Sequence, residues 1–451
     1  MGANGGQLAG FLTGAAAWGR RIAWWLMAAA LAAGVTAVAM WQEVVATGQV
    51  ASRGTGFDFA STTWRAVRGL LGGQDVYSTS AFIPGIGQVT PTGEHLPASL
   101  LWQAPFAALP LWPAFLAFDL ASIIAIWAAV LILARPRSPQ AVLLAAGCGA
   151  FAILAGGGPW TLLIGQSTAF ALLGLALVVR VRRPWLGALG AMLAASTFQT
   201  GVPLVVALIV LRAWPVVWRA GVMTVASSLP PVVLGISAAG GLGPYIRAFT
   251  AGAFGHLAPM PGALRGLAEQ PDRIDLGALL HRAGVSSTVA QVAAGVLLLA
   301  MALWFLARLP ADLRRLDYPP VLCLVIAVTL LCAYHQPYDM LLVSGAVIPA
   351  VVLWTGERSG SALAVFALAG ISAGLTSNTA VAVIIDPACL LAIAAISALM
   401  AHRVAIRSAS VAGQAVGLSA CLTGRDFGSP NEGDGPLLSS GSRPPRAAGR
   451  Q

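Results

Sequence analysis

The sequence predicts an all-α fold, a polytopic bundle of transmembrane helices. Three observations carry this. The 451 residues are 58% hydrophobic and only 9% charged, with a mean hydropathy of +0.81, more apolar material than a soluble domain of that length needs. Apolar runs of membrane-spanning length recur along the chain. The arginines gather in short links between those runs. In lipid the backbone must satisfy its own hydrogen bonds, which favours helices, and the strict short-range alternation of a membrane barrel is absent.

The elements follow in order. The expected spans are 22–42, 113–134, 140–156, 164–181, 185–212, 215–239, 290–308, 319–334, 338–355, 361–376 and 379–401. Arg20-Arg21 precede the first span and place the N-terminal segment 1–21 in the cytoplasm by the positive-inside rule. The same pair could open an export signal, but the long span after it, without a convincing cleavage site, reads as a retained anchor. Arg135 and Arg137, Arg180 to Arg183, Arg212 and Arg219, Arg308 to Arg315, and Arg358 share one side only if 185–212 crosses twice or re-enters. Pro203, after Thr200-Gly201, would supply the break; one long helix, which would put Arg212 and Arg219 outside, is the alternative. The count is then about 11–12 spans within a transmembrane domain 22–403. The segment 404–451, rich in Gly, Ser, Pro and Arg, reads as a disordered cytoplasmic tail.

Net charge is +10, and every basic residue is arginine. A basic balance can signal nucleic acid, but the placement of these arginines is explained by membrane topology, and no nucleic-acid partner is expected. The lysine-free, Gly/Ala/Arg-rich composition fits a GC-rich bacterial genome and a bacterial plasma membrane. The five cysteines make no metal-ligand spacing and read as packing residues. There is no phosphate-cradling GxxxxGK[ST] loop, and neither a metal nor a cofactor is expected.

This topology sends the long loops 43–96 and 241–289 and the short connections near 157–163, 335–337 and 377 to the outer face. Most polar groups lie there, among them Asp58, Asp75, His95, Asp275 and His335, so a site would face the periplasm or cell exterior. Asp58 stands among glycines and aromatics in Gly54-Thr55-Gly56-Phe57-Asp58-Phe59. Residues 60–71 have helical spacing, with Trp64, Val67 and Leu71 on one face and Arg65 and Arg68 toward headgroups. Asp58 is either the N-cap of that helix or a chemical group; composition and spacing leave both open. His95 stands at the mouth of a proline-punctuated apolar stretch too short to span, plausible as a re-entrant segment. Loop histidines are commonly inert, but this one shares its loop with Asp58. Gln166, in Gly165-Gln166-Ser167, is either a ligand for a sugar or phosphate or an interhelical hydrogen bond. Gln199 lies at the helix break, where backbone polar groups border cavities. Tyr334-His335-Gln336-Pro337-Tyr338-Asp339 is denser in polar groups than a hairpin turn needs. Asp119 and Asp386 lie within spans and require a partner or a cavity.

This ordered series resembles the integral-membrane glycosyltransferases of family 87, a GT-C type group. The matching features are Asp58-Phe59, Gly73 and Tyr77, then Pro97, Pro105 and Pro110, then Gly165-Gln166, a glycine-containing helix and break over Gly187–Pro203, and a late link from His335 to Asp339. The likeness covers roughly residues 20–400. The family often has a lysine near the break, where this chain has Gln199. Its late link often has adjacent Asp and His, here separated by Gln336-Pro337-Tyr338. The resemblance implies inverting transfer of a sugar, mannose most commonly and arabinofuranose in some members, from a polyprenyl-phosphate donor to a lipid or glycan acceptor. It implies one aspartate base, at the place of Asp58. His335, His95, Asp339 and an outer arginine, Arg65 or Arg247, would then surround the leaving phosphate, with Gln166 and Gln199 on sugar or phosphate oxygens. A rival reading is a carrier or flippase for a lipid-linked sugar, which explains the spans and intramembrane acids but leaves the one-sided polar groups less well explained, and no inverted repeat is evident. A third is a scaffold subunit with a decayed site.

Overall fold

The computed structural model describes residues 4–48, 56–78, 81–83, 87–89, 96–155, 157–196, 198–254, 273–310, 315–332, 335–350, 360–375, 384–403 and 406. The described chain is helical apart from one antiparallel ribbon, β1 (Ala81–Ile83) with β2 (Gly87–Val89). The chain divides into units Met1–Arg403 and Val404–Gln451; the tail expected over 404–451 lies outside the described residues except for Ile406.

The helices are α1 (Asn4–Gly48), α2 (Arg65–Leu71), α3 (Pro97–Ala107), α4 (Leu111–Ala134), α5 (Pro139–Leu154), α6 (Gly158–Ile164), α7 (Thr168–Arg180), α8 (Pro184–Ala194), α9 (Phe198–Val210), α10 (Trp214–Ala238), α11 (Leu242–Phe254), α12 (Leu276–Arg282), α13 (Ser287–Arg308), α14 (Pro319–Cys332), α15 (Tyr338–Ala350), α16 (Gly360–Leu375) and α17 (Ile384–Arg403). Four stretches are long and apolar enough to cross a bilayer: Arg21–Ala46, Leu111–Ala134, Trp214–Ala238 and Ile384–Arg403. The pair α5–α6, bent by 50°, can act as a fifth, and shorter apolar helices fill the bundle between them.

Packing follows the membrane logic of small residues between helices and large ones toward lipid. α14 is buried on every face from Pro320 to Leu331 and forms the centre. On α10, Val222, Val225, Leu229 and Val233 are exposed at helical spacing, the stripe that lipid covers. α7 and α8 touch backbone to backbone, since a Cβ on Gly174 would lie 2.3 Å from the Gly190 carbonyl oxygen. α1, α4 and α5 interlock around Trp127, which donates to Thr36 Oγ1 at 3.2 Å and covers Gly149.

Three expectations are corrected. The break in 185–212 exists, but it falls after α8 ends at Ala194 and before α9 begins at Phe198, and Pro203 sits inside α9. Ala195 closes α8, and Gly201 packs so tightly on it that a Cβ would lie 2.6 Å from its Cα; this contact sets the turn. Pro203 only deprives the Gln199 carbonyl of its intrahelical donor. The connection 157–163 is not a plain link, because Gly158–Ile164 forms helix α6. The segment after Asp58 begins as a π-helix, Phe59–Trp64, before continuing as α2. A π turn inserts an extra residue and shifts the helical phase. Arg65, expected toward headgroups, is therefore buried, while Arg68 is exposed.

Candidate functional site

Two left-handed glycines build the site. Gly56 (φ 66°) donates its N–H to the Leu163 carbonyl at 2.8 Å, so the strand of chain before Asp58 lies against the end of α6. Gly165 (φ 73°) caps α6, and a Cβ there would stand 2.4 Å from Phe59 Cβ and 3.0 Å from the Phe115 ring. Only glycine meets both the backbone angle and the space. The close approach places the Gln166 amide against Asp58, and Gln166 Nε2 donates to Asp58 Oδ2. Gln166 is buried and Asp58 half-buried.

Asp58 does not cap its helix through its side chain. It already has helical angles (φ −71°, ψ −40°), and its carboxylate makes no cap hydrogen bond. Its carbonyl instead accepts from Ser61 Oγ at 3.2 Å and Thr62 Oγ1 at 2.7 Å. The hydroxyls serve the backbone, and the carboxylate is turned to Gln166. Phe59, Phe115 and Phe118 pack as an aromatic floor beside it, joined by Phe170 and Trp102.

Two residues beyond Gln166, Thr168 Oγ1 donates to Asp339 Oδ1 at 3.0 Å. The other Asp339 oxygen receives the Gln336 N–H at 3.2 Å and faces His335 Nδ1 at 2.9 Å. His335 is completely buried, and its Nε2 has no hydrogen-bond partner among the described residues. The reciprocal cap of Gln336 and Asp339 starts the 3₁₀ turn Pro337–Met340, which is why His335 and Asp339 meet despite Pro337. Gly157 allows this turn to sit on α6, since a Cβ there would be 2.3 Å from the Tyr338 carbonyl oxygen, and Thr161 Oγ1 donates to that oxygen at 3.1 Å. The His335 carbonyl accepts from Ile274 N at 3.1 Å, next to the buried bidentate pair Arg273–Asp275, both contacts 2.8 Å. One short stretch, Gln166 to Thr168, thus carries both Asp58 and the His335–Asp339 pair.

The remaining expected residues lie apart. His95 is outside the described residues; its neighbour Leu96 donates to the Ser196 carbonyl at 3.3 Å, tying that chain to the α8–α9 break. Gln199, the second residue of α9, has its Oε1 buried and without a hydrogen-bond partner among the described residues. Arg65 is buried in α2, where burial pulls its guanidinium below the usual arginine range. Arg247 is exposed on α11. Asp386 is paired with Ser372 Oγ at 2.9 Å, whereas neither oxygen of the fully buried Asp119 has a hydrogen-bond partner among the described residues. Sequence reasoning missed Thr168 and the Arg273–Asp275 pair. The signal for Thr168 was its place two residues from Gln166 at a helix start; nothing in the sequence marked the pair beyond its spacing.

The profile of glycosyltransferase family 87 matches residues 96–344, over half of the chain. The chain belongs to glycosyltransferase family 87. No curated protein and no solved structure matches it. The family 87 match contains Gln166, Thr168, Gln199, His335 and Asp339, while Asp58 and Arg65 precede it. A glycosyltransferase needs a donor and an acceptor, and membership in the family favours covalent chemistry over the carrier reading.

Proposed function

We propose that this family 87 chain transfers a sugar from a polyprenyl-phosphate donor to a lipid or glycan acceptor with inversion, and that Asp58 is the general base. Mannose is the donor sugar expected first, and arabinofuranose is the alternative. The observation that carries the reading is the hydrogen bond from Gln166 to the Asp58 carboxylate, joined through Thr168 to the Asp339–His335 pair. The donor's prenyl chain belongs in lipid and its sugar phosphate at the outer, periplasmic boundary. The acceptor hydroxyl attacks the anomeric carbon while Asp58 takes its proton. The bond from that carbon to the phosphate oxygen breaks, and the carrier leaves as a phosphate monoester with one more negative charge. Donors around that charge lower the barrier. His335 is suited to this, because Asp339 orients its ring through Nδ1 and leaves Nε2 for another partner.

The test is incubation of purified protein with labelled polyprenyl-phosphate mannose and polyprenyl-phosphate arabinofuranose, followed by product analysis. Asp58→Asn keeps the shape and removes the base, so transfer should fall by about 10²–10⁴-fold. Wild-type turnover by that variant would remove Asp58 from the mechanism, and donor moved without covalent change would restore the carrier reading.

A further inference from the structure

At the other end of α7 the molecule has a second polar feature that sugar transfer does not use. A cavity of ≈ 290 Å³ opens where the links α4–α5, α7–α8, α9–α10 and α13–α14 converge. Among the described residues, Arg135, Arg180, Arg182 and Arg315 line it against one acid, Asp317. Asp317 is engaged by Arg315 through two contacts of 2.8 and 2.6 Å. Arg135 donates to the Arg180 carbonyl and holds a left-handed backbone (φ 39°) that residues other than glycine rarely adopt. Arg180 Nε is buried and has no hydrogen-bond partner among the described residues. Among the described residues, four cations against one anion leave a surplus of three positive charges around a space that holds on the order of ten waters.

The positive-inside rule explains why arginines occupy these links. It does not explain their convergence on one cavity. The surroundings indicate the depth. Trp185, Trp214 and Trp218, at the starts of α8 and α10, are exposed beside the cavity, and Arg219 lies over the Trp218 and Trp185 rings at 4.3 and 5.3 Å. Exposed tryptophans with cations mark the headgroup level of a bilayer. Val178, Leu208, Leu211 and Val216 supply an apolar wall. α7 has 13 residues, so the cavity lies about 18 Å from Thr168, on the opposite face of the bundle.

We infer that this cavity is a binding site for the phosphate headgroup of an anionic lipid in the leaflet opposite the Asp58 site. The arginines hold the phosphate and the apolar wall lies along the first part of the acyl chains. The site is independent of the sugar-transfer reading and survives if that reading fails.

Full-length protein in detergent is mixed with phosphatidylglycerol or phosphatidylcholine, and retained lipid is counted by native mass spectrometry. Inorganic phosphate forms a third arm, read by thermal unfolding beside both lipids. Phosphatidylglycerol should be retained in preference to phosphatidylcholine and should stabilise more than inorganic phosphate. Arg180→Gln with Arg315→Gln should lower retention about fivefold for each charge removed. Asp317→Asn should raise it, a change that misfolding would not produce, and Arg308→Gln, outside the cavity, should leave it unchanged. Equal retention of the two lipids, a fall with Asp317→Asn, or wild-type retention by the double variant would overturn the site. Equal stabilisation by inorganic phosphate would overturn the lipid assignment in favour of a soluble anion.

Discussion

Gly165→Ala tests whether the turn between α6 and α7 positions the carboxylate. Alanine at φ 73° costs roughly 1–2 kcal/mol in backbone conformation alone. Its Cβ would also meet Phe59 Cβ at 2.4 Å, where ordinary contact begins at 3.4 Å, so one of the two must move by about 1 Å. Phe59 is bonded to Asp58, and Gly165 to Gln166, so the movement acts directly on their hydrogen bond. A displacement of that size can lower turnover about 100-fold. Gly240→Ala is the control: it imposes the same backbone strain (φ 74°) with nothing within 4 Å of the new Cβ. Both variants should lose similar thermal stability from backbone strain, and Gly165→Ala should lose more because of the overlap. Transfer from the labelled donor should fall only in Gly165→Ala. Equal turnover by the two variants would show that Asp58 chemistry does not depend on the α6–α7 turn.

Gln166→Leu removes the donor to the Asp58 carboxylate; a hydrogen bond to a charged group is worth about 1.5–3 kcal/mol, so transfer should drop at least about tenfold in the same assay. Asp275→Asn leaves the buried Arg273 guanidinium without its counter-charge and should cost about 3–5 kcal/mol, read as a lowered unfolding temperature. Breaking the exposed Arg315–Asp317 pair should cost under about 1 kcal/mol by the same readout. Burial first, then the neighbouring Tyr245 and Asp75, pushes the Tyr77 phenol above its ordinary range. A raised folded-state value means this contribution is whole below the unfolded pKa of roughly 10 and is lost as pH rises toward the folded value. Tyr77→Phe should therefore flatten the fall in unfolding temperature above about pH 10, and an unchanged slope would count against a buried neutral phenol.

The membrane bundle was legible because hydropathy acts through composition, and composition survives any error of register. The pairing of Gln166 with Asp58 was not legible, since 108 residues separate them and only the facing glycines, Gly56 and Gly165, bring their segments together. His335 and Asp339 were identified, but their contact was not legible. Pro337 argues against a regular α-helical face, yet the 3₁₀ turn that it opens brings the ring and carboxylate to 2.9 Å. The burial of Arg65 was hidden for a related reason. Reading 60–71 with one helical period cannot reveal the extra residue accommodated by a π turn.

The contacts that could not be read share a cause that bears on the chemistry. Asp58, Gln166 and His335 all stand where a helix starts or stops: before a π turn, between α6 and α7, and before a 3₁₀ turn. A continuous membrane helix spends its backbone polar groups on itself and offers a substrate only side chains. An interrupted one leaves carbonyls and N–H groups that must find partners, and that requirement fixes nearby groups tightly. Here Thr161 takes up the Tyr338 carbonyl, Asp339 takes up the Gln336 N–H, and Gly56 takes up the Leu163 carbonyl. Each satisfied break also joins two distant segments. The interruptions supply both the polar surface and the rigidity that a glycosyltransferase site requires, and an uninterrupted bundle of the same hydropathy would supply neither.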